Sequence, residues 1–434
     1  MKKKWLVMLS AVLCFAVILS ACGGNNNSNS GTQASQSPKA SDNGSVSEQP
    51  AKQTSVNFYG KIVEYSSGEP MVQKMQELLP ELKITATQVD WANLLTVLKT
   101  AITAGNPPDV AVYWPNQIKP FVDANQAMDL TPYLEADNGA WKDSFVPSLL
   151  EQGKHNGKYY AVPIDANFSM LYVNADLFEK AGVEVPQSWT WDEFIAASKQ
   201  LKDKAGVFSI SIASELNDWF FRNGMLSLAA SENKVEDVAS GKIEATNDIF
   251  KTPLVKTKEF YDAGYWYPGA GALTTSRDEA KAAFMQGKVA MLGEVSALFG
   301  AITGEATFNV VGVEWPHIGD VDLFNGATDG LFIPINAPHP EEAVKMLKTF
   351  TGEQVQQIHA DAGFITTNKN VSSSDPNVAK IAEFGKNSSS VEFANLSSKI
   401  KDYTLNQLTA EYIMGSGDAA LEALEKLRQE AIQQ

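Results

Sequence analysis

Aromatic, amide and carboxylate side chains recur just beyond short apolar runs that read as strands. Tyr59 follows residues 56–58, Trp91 follows 84–89, and Trp114 and Asn116 follow 109–113. Asp165 comes after the extended stretch 159–163, Glu294 after 289–292, and Trp315 after 310–313. An indole or phenol face can stack on the C–H face of a sugar ring, while carboxylate and amide oxygens accept hydrogen bonds from its hydroxyls. A hydroxyl left unpaired in a closed cleft costs about 1–3 kcal/mol, which is a source of selectivity. In open α/β sheets, ligands gather beyond the carboxyl ends of the strands, where these residues fall. The same side chains have a plainer use, because most Trp residues pack against a core. Trp141 is expected to do so, and so are Trp189 and Trp191 at the start of a helix.

Other chemistries find less support. Asp165 and Glu294 could be nominated as the carboxylate pair of a glycosidase, which needs two carboxyls about 5–10 Å apart. With 51 acidic residues, however, some pair can always be named. There is no Gly-x-Ser-x-Gly elbow, no Walker loop and no His-Glu-x-x-His pattern. The four histidines, His155, His317, His339 and His359, are scattered along the chain, so neither a metal nor a cofactor is expected. Arginine occurs only as Arg222, Arg277 and Arg428, few for a site built to clamp an anionic ligand. The formal charge of −16 disfavours nucleic acid and anionic lipid headgroups as partners.

The first fifty residues read as address and tether. Lys2, Lys3 and Lys4 precede an apolar run over 5–19, short of the roughly 20 residues that span a bilayer. That pattern predicts a signal peptide over 1–21. It ends in Leu19-Ser20-Ala21-Cys22-Gly23, which resembles the lipobox of bacterial lipoproteins. The resemblance implies cleavage before Cys22, a diacylglycerol on its sulfur, and anchoring to the outer face of the cell membrane. Cys14 would leave with the signal, so no internal disulfide is possible in the mature chain. Residues 22–54 are mostly Asn, Ser, Gln, Gly and Pro and cannot offset their own ordering entropy, so a disordered tether is expected.

The remainder is too long for one ordinary core and predicts two lobes. Strand-like 56–60, the helical spacing of Met71, Met75, Leu78 and Leu79, strand-like 84–89, a helix after Asp90 and a buried strand at 109–113 predict a parallel α/β sheet. Leu94, Leu95, Leu98 and Ile102 are expected to form one apolar helix face. Strands are also expected at 169–173, 289–292 and 310–313. Thr190 and Glu193 have the spacing of a capping box, with Trp189 and Phe194 at the staple positions. Pro340 opens a further helix, and Leu421, Leu424 and Leu427 mark a terminal one.

Four segments, taken in order, resemble bacterial extracellular solute-binding proteins of the maltose-binding type over nearly all of 55–434. They are 98–110, ending Asn106-Pro107-Pro108-Asp109-Val110; 157–163 with 171–178 and 189–194; 282–291; and Gly330-Leu331-Phe332-Ile333-Pro334-Ile335-Asn336 with the Pro340 helix. The resemblance implies a two-lobed periplasmic-binding-protein-like α/β fold of type II, with the ligand in the cleft between lobes. It divides the body into 55–164 plus 331–366 and 165–330 plus 367–434, with crossovers near 163–166, 329–332 and 365–367. It implies a monomer that is not an enzyme, takes a carbohydrate and passes it to the membrane permease subunits of an ABC importer. Trp114 and Asp165 fall where the family contacts its ligand, and Trp219, in Asn217-Asp218-Trp219-Phe220, matches a stacking position in the second lobe. Trp266 is expected on a loop bordering the cleft, and Asp329 at the second crossover. One departure stands out: the family often carries Gly-Pro-Trp where this chain reads Gly293-Glu294-Val295, which leaves that stacking position empty of Trp.

Overall fold

The computed structural model describes residues 53–60, 66–391 and 393–433. The signal peptide, Cys22 and nearly all of the expected tether lie outside them. Strand β1 (Thr54–Tyr59) begins inside the last residue assigned to the tether. Its alternate residues Val56 and Phe58 turn inward. It pairs in parallel with β2 (Leu82–Thr87) and β3 (Val110–Tyr113), as the alternation of strand and helix patterns predicts. Helix α1 (Gly68–Leu78) buries Met71 and Met75 but exposes Leu78. Helix α2 (Trp91–Thr103) buries Leu94, Leu98 and Ile102, whereas Leu95 is 38% exposed. The expected face is therefore narrower: Leu94, Leu98 and Ile102, spaced four apart, form the buried stripe, and Leu95, about 100° round from Leu94, lies at its exposed edge.

Residues 159–163 and 169–173 read as separate extended pieces. The second of them lies instead within one continuous strand, β4 (Val162–Asn174), which starts at the end of the first. Its first part packs in the core of the first lobe through Val162 and Ile164. Its last part packs in the second through Met170, Leu171, Tyr172 and Val173. The polar middle, Asp165-Ala166-Asn167, hides the continuity from any periodicity count, but its backbone is paired throughout.

Helix α3 (Trp191–Gln200) starts with the expected capping box: the Glu193 N–H donates to Thr190 Oγ1, and the Thr190 N–H donates to Glu193 Oε2. Trp189 meets Phe194 edge to face at 5.3 Å, as a staple should. Then follow β5 (Phe208–Ile212), α4 (Asp218–Ser231), α5 (Arg277–Met285), β6 (Val289–Val295), β7 (Val310–Val313) and β8 (Phe324–Phe332). Helices α6 (Pro340–Phe350) and α7 (Glu353–Asp361) return to the first lobe, β9 (Ile365–Thr366) crosses back, and α8 (Ser398–Asn406) and α9 (Asp418–Ile432) close the chain.

The strand order along the sheet is β2-β1-β3-β8-β4-β6-β5, with β7 and β9 also paired to β4. Opposite Asp165 stand Asp329 of β8 and Thr366 of β9. Three strands thus run side by side at the junction of the two cores. In the second lobe β6 and β7 both run antiparallel to β4, and β5 runs parallel to β6, so all three point their carboxyl ends the same way. Among the described residues, no helix is long and apolar enough to cross a membrane.

Candidate ligand-binding site

The first lobe presents Tyr59 at the end of β1 and Trp114 and Asn116 in the turn after β3. Backbone makes this placement: Pro115 opens a single 3-10 turn, Pro115–Gln117, that stops the strand and aims the next side chains beyond its end. Tyr59, Trp114 and Asn116 are all half-buried. Trp114 leans edge-on against Tyr113 at 5.3 Å, which fixes the indole. The Asn116 Oδ1 is buried and accepts no hydrogen bond from the protein. Trp91 is the first residue of α2; its side chain lies outside the described residues.

At the junction the expected ligand acceptor Asp165 is only 1% exposed and turned to another partner. Its Oδ2 lies 3.1 Å from His359 Nε2, and His359 Nδ1 lies 2.8 Å from Ser67 Oγ. His359 stacks flat on Phe364, with centroids 4.1 Å apart. Burial pushes the Asp165 carboxyl up to about 7, with the Asp329 backbone N–H working weakly the other way. Burial also pushes the His359 imidazole down to about 3. Between about pH 3 and 7 the pair is therefore neutral: a carboxylic acid donating to Nε2, with Nδ1–H donating to Ser67. A hydrolytic triad bonds Ser to Nε2 and the acid to Nδ1–H, the reverse of this order. Ser67 is moreover sealed at 1% exposure. Asp329 is buried as well, at a bulge in β8. Both aspartates expected as hydroxyl acceptors at the crossover are thus buried here.

Glu294, also expected at the ligand, is engaged by the protein as well. Arg277 Nε donates to its Oε2 at 2.6 Å, Arg277 Nη2 donates to its Oε1, and the Val295 N–H donates to Oε1 at 2.8 Å. The carboxylate is 3% exposed and its lone pairs are largely taken. Arg277 sits at the start of α5, and its Nη1 also lies 3.4 Å from Glu215 Oε1. What the second lobe turns toward solvent at this point is thus the half-exposed guanidinium, not the carboxylate.

Trp219, Trp266 and Trp315 all pack in the core of the second lobe. Trp266 is fully buried, 4.9 Å from Phe220, and the Tyr267 N–H pins its loop to the Ile210 carbonyl of β5. Trp315 is 1% exposed, with Phe220 at 5.2 Å and Trp219 at 5.9 Å in edge-to-face contact. Trp219 is 5% exposed. Helix α4 is buried nearly all round, so residues at its start fill the end of the sheet instead of lining an open face. All three, expected at the cleft, thus lie buried here, and the indole N–H groups of Trp266 and Trp315 find no protein acceptor among the described residues.

Two contacts were not legible in the sequence. Asn167 Oδ1 accepts from Ser296 Oγ at 3.3 Å and from the Ala297 N–H at 3.4 Å, tying the junction to the turn after β6. Lys401 Nζ, on α8, donates to Gln117 Oε1 at 2.5 Å, from one lobe to the other. Gln117 could have been found, three residues past Trp114 in the same turn; Lys401 carries no local signal. Elsewhere, a cavity of about 350 Å³ opens among Val146, Leu149, Ala166, Ile365, Val378 and Ala382. Its lining holds no Trp or Tyr and none of the expected site residues, so it does not suit the stacking chemistry above.

Known proteins agree with this architecture. The family model described as bacterial extracellular solute-binding protein matches residues 60–357. A protein of Brucella abortus (strain 2308) named as a binding protein is 28% identical over 354 residues, which is 79% of this chain and 84% of that one. The multiple sugar-binding protein of Streptococcus mutans is 26% identical over 296 residues, 65% of this chain and 67% of its own. The solved structure of a chitin oligosaccharide binding protein superposes with a TM-score of 0.75 at 23% identity, over 88% of this chain and 100% of that one, a likeness of fold. With a match across more than half its length and the two-lobed type II fold to go with it, the chain belongs to the bacterial extracellular solute-binding proteins.

Proposed function

We propose that this protein captures a carbohydrate, in particular an oligosaccharide, outside the cytoplasm and hands it unaltered to the permease subunits of an ABC importer. The observation that carries the ligand class is the first-lobe face of Tyr59, Trp114 and Asn116. Two aromatic side chains keep part of their surface open there beside a buried amide oxygen without a protein donor. Trp91 stands at the head of α2 and is assigned to the same face. Arginine does not compete for an anionic ligand: Arg222 pairs with Asp218, Arg277 with Glu294 and Arg428 with Glu425. The carboxylates nominated for hydrolysis are likewise engaged, Asp165 by His359 and Glu294 by Arg277, which favours binding over turnover. The sugar-binding relative in Streptococcus mutans supports the same class.

The lobes are divided at 55–164 plus 331–366 and 165–330 plus 367–434, with β4, β8 and β9 as the connections. The molecule works as a monomer. A thermal-shift panel tests the ligand class. A ligand at a hundred times its Kd should stabilise the protein by about 2.7 kcal/mol, so oligosaccharides should raise the melting temperature and amino acids or peptides should not. The opposite pattern would overturn the assignment.

The anchor is part of the same proposal. Two acyl chains on Cys22 would hold the protein firmly, at roughly 0.8 kcal/mol per buried methylene. Cys22→Ser is expected to release the protein into the medium or leave its signal uncut. Membrane fractionation that finds a correctly cut mutant still retained would refute the lipid assignment.

A further inference from the structure

We infer that the Lys401–Gln117 hydrogen bond is a closure latch that sets the balance between open and closed lobes without touching the ligand. The inference rests on the reading of the interlobe cleft as the ligand site. Each end is held by its own lobe. Gln117 closes the rigid Pro115–Gln117 turn, between buried Pro115 and buried Ile118 of the first-lobe core. Lys401 follows Ile400, which is fully buried in a helical core of the second lobe, together with Tyr403 of the same helix. Neither side chain can follow the other if the lobes separate, so the bond exists only in the lobe arrangement described here. It is charge-assisted, and hence among the stronger contacts available to a half-buried pair.

A bond made only with the lobes this close raises the population of that arrangement, and the apparent affinity of any ligand that needs it scales with that population. The latch should therefore multiply the affinity for every ligand by one common factor. A residue that contacted the ligand would instead discriminate among ligands. It should act mainly on release, because a bound ligand leaves only after the lobes part.

Three variants test this. Lys401→Met keeps the aliphatic stem and removes the donor; Lys401→Arg keeps the charge; Gln117→Glu turns the bond into an ion pair. The ligand-free proteins are compared by small-angle X-ray scattering, and release of two different bound oligosaccharides is followed by stopped flow. The latch predicts that Lys401→Met has a larger radius of gyration and an unchanged melting temperature, and releases both sugars about tenfold faster. Lys401→Arg should restore the wild-type values. Gln117→Glu should slow release at low salt and lose that gain at high salt, as a partly exposed ion pair does. An unchanged radius of gyration in Lys401→Met would overturn the latch, as would a change in release that differs between the two sugars. If no sugar binds the wild-type protein, the carbohydrate reading falls, and the scattering comparison alone still decides whether the lobes are latched.

Discussion

Trp219→Ala is expected to lower the stability of the second lobe by about 3–5 kcal/mol, the usual cost of removing a Trp from a packed core. The indole lies at the start of α4, 5% exposed, with Trp315 edge-on to it and Phe220 beside it in the chain. Truncation would leave a cavity that the buried helix cannot collapse to fill. Urea unfolding followed by circular dichroism reads the loss as a lower midpoint with an unchanged slope. A sugar titration of the same variant should show little change in affinity at temperatures where it is folded. An unchanged midpoint with an affinity reduced by two or more decades would reinstate Trp219 as a stacking platform.

The second large effect is one of pH. Taken alone, Asp165, with its carboxyl raised from 3.8 to about 7, contributes stability that is present below pH 4 and lost as pH rises through 7. Taken alone, His359, lowered from 6.5 to about 3, contributes stability that is present above 6.5 and lost as pH falls through 3. Between about pH 4 and 6.5 the two nearly cancel. The unfolded chain holds one proton, on His359; the folded chain also holds one, on Asp165. Equal proton counts leave stability flat over that window. Asp165→Asn removes the folded-state proton but not the unfolded-state one. The variant should then lose stability on acidification by about 1.4 kcal/mol per pH unit between 6.5 and 4, relative to wild type. Unfolding curves at three pH values across that window measure the difference. Parallel pH profiles for the two proteins would contradict the neutral pair.

What was legible in the sequence was local. The capping box at Thr190, the Pro340 helix and the strand at Val310–Val313 each depend on residues within one or two turns of one another, and each stands where its pattern puts it. The two lobes and their type II fold were legible as well, because the four motif segments occur in family order. The partners of the polar residues were not. Glu294 is met by an arginine on a different element, and the Oδ2 of Asp165 by a histidine 194 positions away, while its Oδ1 stays without a hydrogen-bond partner among the described residues. No spacing rule reaches either. The tryptophans were ambiguous for another reason. A Trp just past a strand can lid a cleft or seal the end of a core, and both uses leave the same trace in the chain. Trp219, Trp266 and Trp315 are buried here with the second-lobe core, a placement that no local spacing carries. Leu95 shows the limit of counting apolar residues: an apolar side chain at helical spacing can still lie at the edge of the stripe and stay 38% exposed.

The central claim is that the protein binds a carbohydrate and returns it unchanged. Native mass spectrometry of the wild-type protein mixed with oligosaccharides, followed by denaturation and analysis of the released ligand, tests it most directly. The expected result is a one-to-one complex whose sugar is recovered at its original mass. Cleaved sugar in molar excess over protein would contradict it, and so would a bound species of another chemical class with no sugar complex at any concentration.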